Sequence, residues 1–179
     1  GGTDNPGYFS EKHPSKPTLS VEGAYTYTGV EQTVTVTGYD SNTMDIEGNK
    51  ATKVGTYTVT VTPKTQWSDG TKEAVTVTWS IIKADPSYTL PTGLIATQGD
   101  KLSDVTLPEG WKWKAPETQL TDAGSYIYTA TFTPEDTKNY NVLADIAVTV
   151  EIIPHTIEFL DKEKFRNNLS FDVTNLYFG

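Results

Sequence analysis

From residue 54 the chain reads VGTYTVTVTP, and its side chains alternate: Tyr57, Val59 and Val61 fall on one face, Thr56, Thr58 and Thr60 on the other. A period of two marks a strand with one buried and one wet face. The alternation returns in AVTVTWSII (74–82), where Val75, Val77, Trp79 and Ile81 share a face. EQTVTVTGYD sets Val34 and Val36 against Thr33, Thr35 and Thr37 before turning at Gly38. AGSYIYTATFTP (123–134) and IAVTVEII (146–153) repeat the pattern, and turn signals such as EGN, SDG and PEG punctuate the chain. No window sustains a helical period over three turns. The pattern predicts an all-β chain of short strands folded as sandwiches or small barrels.

Two of these stretches match the other two in order. VGTYTVTVTP and AGSYIYTATFTP each open on a small residue and a glycine, continue as a Tyr-led strand and end on Thr-Pro. A polar loop follows each, then a second matching strand, AVTVTWSII or IAVTVEII. Similarity in fixed order at a spacing of about 70 residues predicts two copies of one module, each with six or seven clipped strands. The expected modules are 18–84 and 85–154, two tandem small β-sandwiches arranged end to end. The junction Lys83–Ser87, stiffened by Pro86, leaves little room for bending. Residues 1–17, with three prolines, read as an N-terminal tail or linker. Residues 155–179 match neither copy and read as a C-terminal extension, either a hairpin or the start of a further module.

GWKWKAP (110–116) poses the sharpest functional question. On a strand, Trp111 and Trp113 share a face, and Lys112 and Lys114 take the other. Two adjacent indoles suit a platform for stacking a sugar ring, and they equally suit the inside of a sandwich. Aligning the two copies with a two-residue gap sets TMDI (43–46) against GWKW, so Met44 and Ile46 hold the slots of Trp111 and Trp113. Met and Ile are core residues and cannot stack a sugar, so the inward reading leads. Trp67 lies in the polar loop of the first copy and Tyr140 in that of the second; both read first as loop aromatics closing a module end, and second as ligand contacts at a loop tip. Trp67, Tyr140, Trp111 and Trp113 are therefore the candidate ligand-contacting residues. Trp79 reads as core.

Composition narrows the function. The net charge is −9 and the 14 basic residues are scattered, which disfavours nucleic acid and anionic membrane surfaces as partners. About 30 residues, roughly one in six, are threonine, as expected of strands with a wet face. The chain lacks cysteine, so it has no disulfide, thiolate metal site or cysteine nucleophile. No apolar run approaches the ~20 residues that span a bilayer. The two histidines, His13 and His155, both adjoin prolines in expected linkers, far from any rigid catalytic or metal-binding setting. Carboxylates cluster at Asp40, Asp45 and Glu47, at Asp100 and Asp104, and at Glu135 and Asp136. They read as solvated acidic turns, with weak calcium binding at a module end as the second reading. DSNTMDIEG lacks the residues a calcium loop needs at its fifth and sixth positions. A paired-carboxylate glycosidase needs a deep cleft for which modules this small leave little room. No catalytic residue, cofactor or metal is expected, nor an enzyme. LPTG (90–93) lacks the variable residue of a sortase signal and reads as the first strand of a domain.

The first copy resembles the small immunoglobulin-like repeats found in tandem on Gram-positive bacterial surface proteins. The resemblance rests on Tyr27, Gly29, Gly48, Asn49, Ala51, Thr52, Gly55, Trp67, Asp69, Gly70, Trp79 and Lys83. The second copy resembles a variant of the same repeat from Tyr88 through Asn141, so about residues 18–154 are covered. The resemblance implies a non-catalytic, secreted or wall-displayed spacer outside the cell, in some cases adhesive. Its implied partners are neighbouring repeats of the same parent protein and a host or cell-wall glycan or protein, with the chain itself a monomer. A carbohydrate-binding module attached to a secreted glycosidase is the alternative. Surface modules of this kind carry Lys–Asn cross-links in some cases, but neither last strand here contains an Asn, so none is expected.

Overall fold

A computed structural model describes residues 11–156, which are all-β apart from one 3-10 turn at Leu102–Asp104. The chain divides into two compact units. Of the described residues, the first comprises those up to Pro86 together with Pro134–Val142; the second comprises Ser87–Thr133 and those from Leu143 onward.

In the first unit the strands are β1 (Ser20–Glu22), β2 (Tyr25–Thr26), β3 (Gln32–Thr33), β4 (Thr35–Thr37), β5 (Met44–Glu47), β6 (Lys50–Ala51), β7 (Gly55–Pro63) and β8 (Val75–Ile82). A four-stranded sheet runs in the order β2-β8-β7-β5, and β1-β4 and β3-β6 form two-stranded ribbons. The expected alternation is largely realised: Val59, Val61, Trp79 and Ile81 are buried, Thr58, Thr76, Thr78 and Ser80 on the other face are exposed, and Thr60 is half-buried. Val21 and Val36 from one ribbon and Ala51 from the other pack onto this core. The Trp79 indole crosses the core to donate to Gly48 O at 2.9 Å, and its ring meets Tyr25 edge-on at 5.3 Å between centroids.

The second unit holds β9 (Leu94–Thr97), β10 (Trp111–Trp113), β11 (Gly124–Phe132) and β12 (Leu143–Ile153), one sheet in the order β10-β11-β12-β9. Among the described residues it has no second sheet, where a full sandwich was expected. Instead the connections before and after β10 supply Leu102, Val105 and Leu120, all buried, to cover Ala96, Val150 and Ile152. A cover of single apolar anchors replaces a patterned layer. The LPTG residues lie just before β9 rather than in a strand.

The two sheets share one plan, with the first strand parallel to the last and the two longest strands antiparallel between them. Their registers match residue by residue when counted from the glycine that opens the Tyr-led strand. Gly55 faces Ile81 and Gly124 faces Ile152; Tyr57 faces Trp79 and Tyr126 faces Val150; Val61 faces Ile46 and Ala130 faces Trp113. Side-chain volume is traded between slots. Where the first unit places Trp79, the second has Val150, and where the first pairs Val61 with Ile46, the second pairs Ala130 with Trp113. Close packing holds total volume while each slot varies. Each Tyr hydroxyl folds back onto its own strand entry, Tyr57 to Lys53 O and Tyr126 to Ala123 O.

Gly48 supports the first core at close range. It sits at φ +77, and a Cβ there would run into Thr58 O on β7. Gly70, at φ +83, has nothing within 4 Å of the same atom. Both alanine substitutions carry the left-handed strain of about 1 kcal/mol, so their difference isolates the collision. In urea denaturation, Gly70→Ala is expected to cost about that amount and Gly48→Ala about 2 kcal/mol or more beyond it. Equal costs would refute the tight approach of Gly48 to β7.

Candidate functional site

The four candidate aromatics occupy three different settings. Trp67 has no exposed surface at all. Its loop closes on itself through Trp67 N–H to Thr71 O and Gly70 N–H to Trp67 O, and the indole Nε1 donates to Glu73 O at 2.7 Å. The ring belongs to the first core with Val59, Val61 and Met44. An indole enclosed in this way offers no face to a ligand, and the position is interior rather than a loop tip.

Trp111 and Trp113 lie together on β10, an edge of the second sheet, with Lys112 exposed between them. Trp111 is 8% exposed and Met44 5%, and Trp113 and Ile46 are both half-buried, so the aligned slots match in burial as well as in register. Trp111 packs within 5.2 Å of Phe132 and 5.5 Å of Tyr88, centroid to centroid. Tyr88 is an aromatic partner that the sequence pattern did not single out. Trp113 donates Nε1–H to Val105 O at 2.9 Å and meets Tyr128 edge-on. Both indoles thus spend most of their faces on protein. An open groove of about 400 Å³ runs beside them, lined by Val105, Thr106, Leu107, Trp111, Lys112 and Trp113 among others. Among the described residues the Trp111 indole N–H meets no acceptor, whereas the other three tryptophans each donate one bond. Ser103, Thr106 and Lys112 are the other residues with polar side chains that line the groove, besides the two tryptophans.

Tyr140 is half-buried within the first unit, its ring perpendicular to Tyr27 at 5.4 Å. The structure therefore brings Trp111 and Trp113 together, and places Trp67 and Tyr140 each elsewhere.

Several of the acidic turn residues serve local backbone. Asp40 Oδ1 accepts Asn42 N–H, Asp100 Oδ2 accepts Thr97 N–H, and Asp104 Oδ2 accepts Lys101 N–H. Asp45 pairs with Lys64 at 2.8 Å. Among the described residues no three His, Asp or Glu side chains converge as a metal site would need. His13 bonds the Thr65 hydroxyl at 3.1 Å. Two carboxyls are held below the usual range by what they accept. For Asp69 the hydroxyl and then the amide of Thr71 stabilise the charged form; for Asp136 the Asn139 side-chain amide does so first, followed by backbone N–H groups.

Compared with protein-family models, curated proteins and solved structures, the chain matches none of them.

Because the folded state lowers the pKa of Asp69 and Asp136, each contributes stability that is fully present above the unfolded value near 3.9 and is lost as pH falls through the folded one. The thermal midpoint is expected to drop on acidification from about pH 5 to about pH 3. An Asp69→Asn/Asp136→Asn chain should show a shallower drop. The same slope in both chains would show that these two carboxylates are not the source.

Proposed function

We propose that this chain is a non-catalytic spacer region of a secreted or surface-displayed bacterial protein, built from two tandem immunoglobulin-like modules, with neighbouring repeats of its parent as its main partners. The observation that carries this reading is the shared register of the two sheets. The same strand order, the same opening glycine and tyrosine, and the same inward slots recur although the residues filling them differ. A site under selection for chemistry keeps particular side chains at particular points, whereas a scaffold keeps slots and volumes. The aromatic residues best placed by sequence to bind a ligand are spent on packing, and the acidic residues on turns and ion pairs. Threonine-covered outer strand faces suit a chain displayed in water.

A carbohydrate-binding module is the second reading, favoured by the groove beside β10 and by the Trp111 N–H, which meets no acceptor among the described residues. A ligand acceptor group reaching that donor would complete it. The two readings separate on a glycan and extracellular-matrix array probed with the native chain and with Trp111→Phe, which keeps an aromatic ring and removes the N–H. The spacer reading expects no specific retention of either chain. Specific retention of the native chain that is lost in Trp111→Phe would replace it with the binding module.

A further inference from the structure

We infer that the first unit carries a docking surface for the Asp-x-x-Asn-Tyr-Asn segment at 136–141, and that residues up to Pro86 depend on this segment to complete their fold. The segment is preorganised. Asp136 accepts bonds from the backbone N–H groups of Lys138 and Asn139 and from Asn139 Nδ2, the last at 2.9 Å. The donor end of the Asn139 amide is thereby fixed, and its acceptor end is left to point at a partner.

That partner is the backbone entry of β7. Asn139 Oδ1 accepts Val54 N–H at 3.2 Å, in a partly buried setting. The Asn139 main-chain carbonyl accepts Ala84 N–H at 3.0 Å, and Ala84 O accepts Asn141 N–H at 2.8 Å, so Ala84 and Tyr140 form a parallel bridge. Asn141 Nδ2 donates to Asp85 Oδ1 at 2.9 Å, and Tyr140 sets its ring against Tyr27. Backbone groups of Val54 and Ala84 are satisfied by this segment, and a partly buried amide stripped of its acceptor is costly.

The earlier loop performs a related task by other means. Within residues 64–74, Ser68 N–H donates to Pro14 O at 2.8 Å, the Thr65 hydroxyl meets His13, and Glu73 pairs with Lys16. In both cases the loop between the two longest strands of a sheet holds a chain segment remote in sequence, residues 13–16 in the earlier loop and Val54 with Ala84–Asp85 in the later one. Trp67 fills the centre of the earlier loop, and the Asp136–Asn139 turn braces the later one. The partner chemistry is thus defined: an Asx-braced turn presenting an asparagine carboxamide oxygen, a main-chain carbonyl and a tyrosine edge. The inference stands apart from the spacer reading, since it concerns only how the first unit is completed.

The test follows the four indole N–H signals of the full ¹⁵N-labelled chain by NMR as temperature rises. Trp67 and Trp79 report on the first unit, Trp111 and Trp113 on the second. Asn139→Ala is expected to lower the melting midpoint of the Trp67 and Trp79 signals by about 5 to 10 °C and to leave those of Trp111 and Trp113 unchanged. Thr137→Ala, an exposed change in the same segment, should move none of them. Loss of dispersed Trp67 and Trp79 signals at every temperature, with Trp111 and Trp113 intact, would also support the dependence. Unchanged Trp67 and Trp79 midpoints in Asn139→Ala, or an equal fall of all four signals, would overturn it.

Discussion

Everything else in this chain hangs on the antiparallel ladder between the two longest strands of each unit. Along β7 and β8 the pairs on the core-side face are Tyr57–Trp79, Val59–Val77 and Val61–Val75; along β11 and β12 they are Tyr128–Val148 and Ala130–Ile146, with Tyr126, itself exposed, opposite the buried Val150. Directly opposed side chains on one sheet face are the unit of sheet stability, and each of these pairs has one buried member: Trp79, Val59 and Val61 in the first unit, Val150, Val148 and Ala130 in the second. A slip of one residue in either ladder would turn the valines to water and the threonines to the core. The first strand of each sheet then adds in parallel along the last, and the edge strand adds along the Tyr-led one. These additions are short beside the ladder, since β2 pairs two residues, β10 three, and β5 and β9 four each.

Given that ladder, the aromatic residues become a question of volume rather than of chemistry. The first unit gathers bulk on β8 and in the Trp67 loop, and the second gathers it on β10. Trp113 can lie beside Ala130 because that position gives up size, and Ile46 beside Val61 needs no such concession. Two different distributions of mass close the same slots, as expected of interiors that must be filled to near-crystalline density by whatever residues are available. The groove beside β10 is what remains where Leu102, Val105 and Leu120 cover the sheet as separate anchors and not as a patterned layer.

How much of this was legible in the sequence follows from the range of the interactions. The strands were legible because a period of two is local, and the correspondence of the two copies was legible because a glycine and a tyrosine two residues later open a strand in each. The inward setting of Trp111 followed from Met44 in the other copy. The burial of Trp67 was not legible: its neighbours Gln66, Ser68 and Asp69 are polar, and what encloses it is a loop closure through Thr71 and Glu73 together with the core it enters. The single-layer cover of the second sheet was hidden for a related reason, since Leu102, Val105 and Leu120 stand apart among polar and turn residues and carry no period. Asn139 lies at the far end of the scale. Its partners Val54 and Ala84 are remote in sequence, and Asp136 was read only as part of a solvated acidic turn. The expectations for residues 157–179 lie outside the described residues.

The most direct check on the account is amide hydrogen exchange of the native chain, read residue by residue. If the two ladders organise the fold, the slowest amides belong to the interiors of β7 and β8 and of β11 and β12, around Val59, Val77, Tyr128 and Val148, opening only with their whole unit. The ribbons β1-β4 and β3-β6 should exchange faster. Ladder amides that exchange as quickly as those ribbons would contradict the account, and would move the organising core elsewhere.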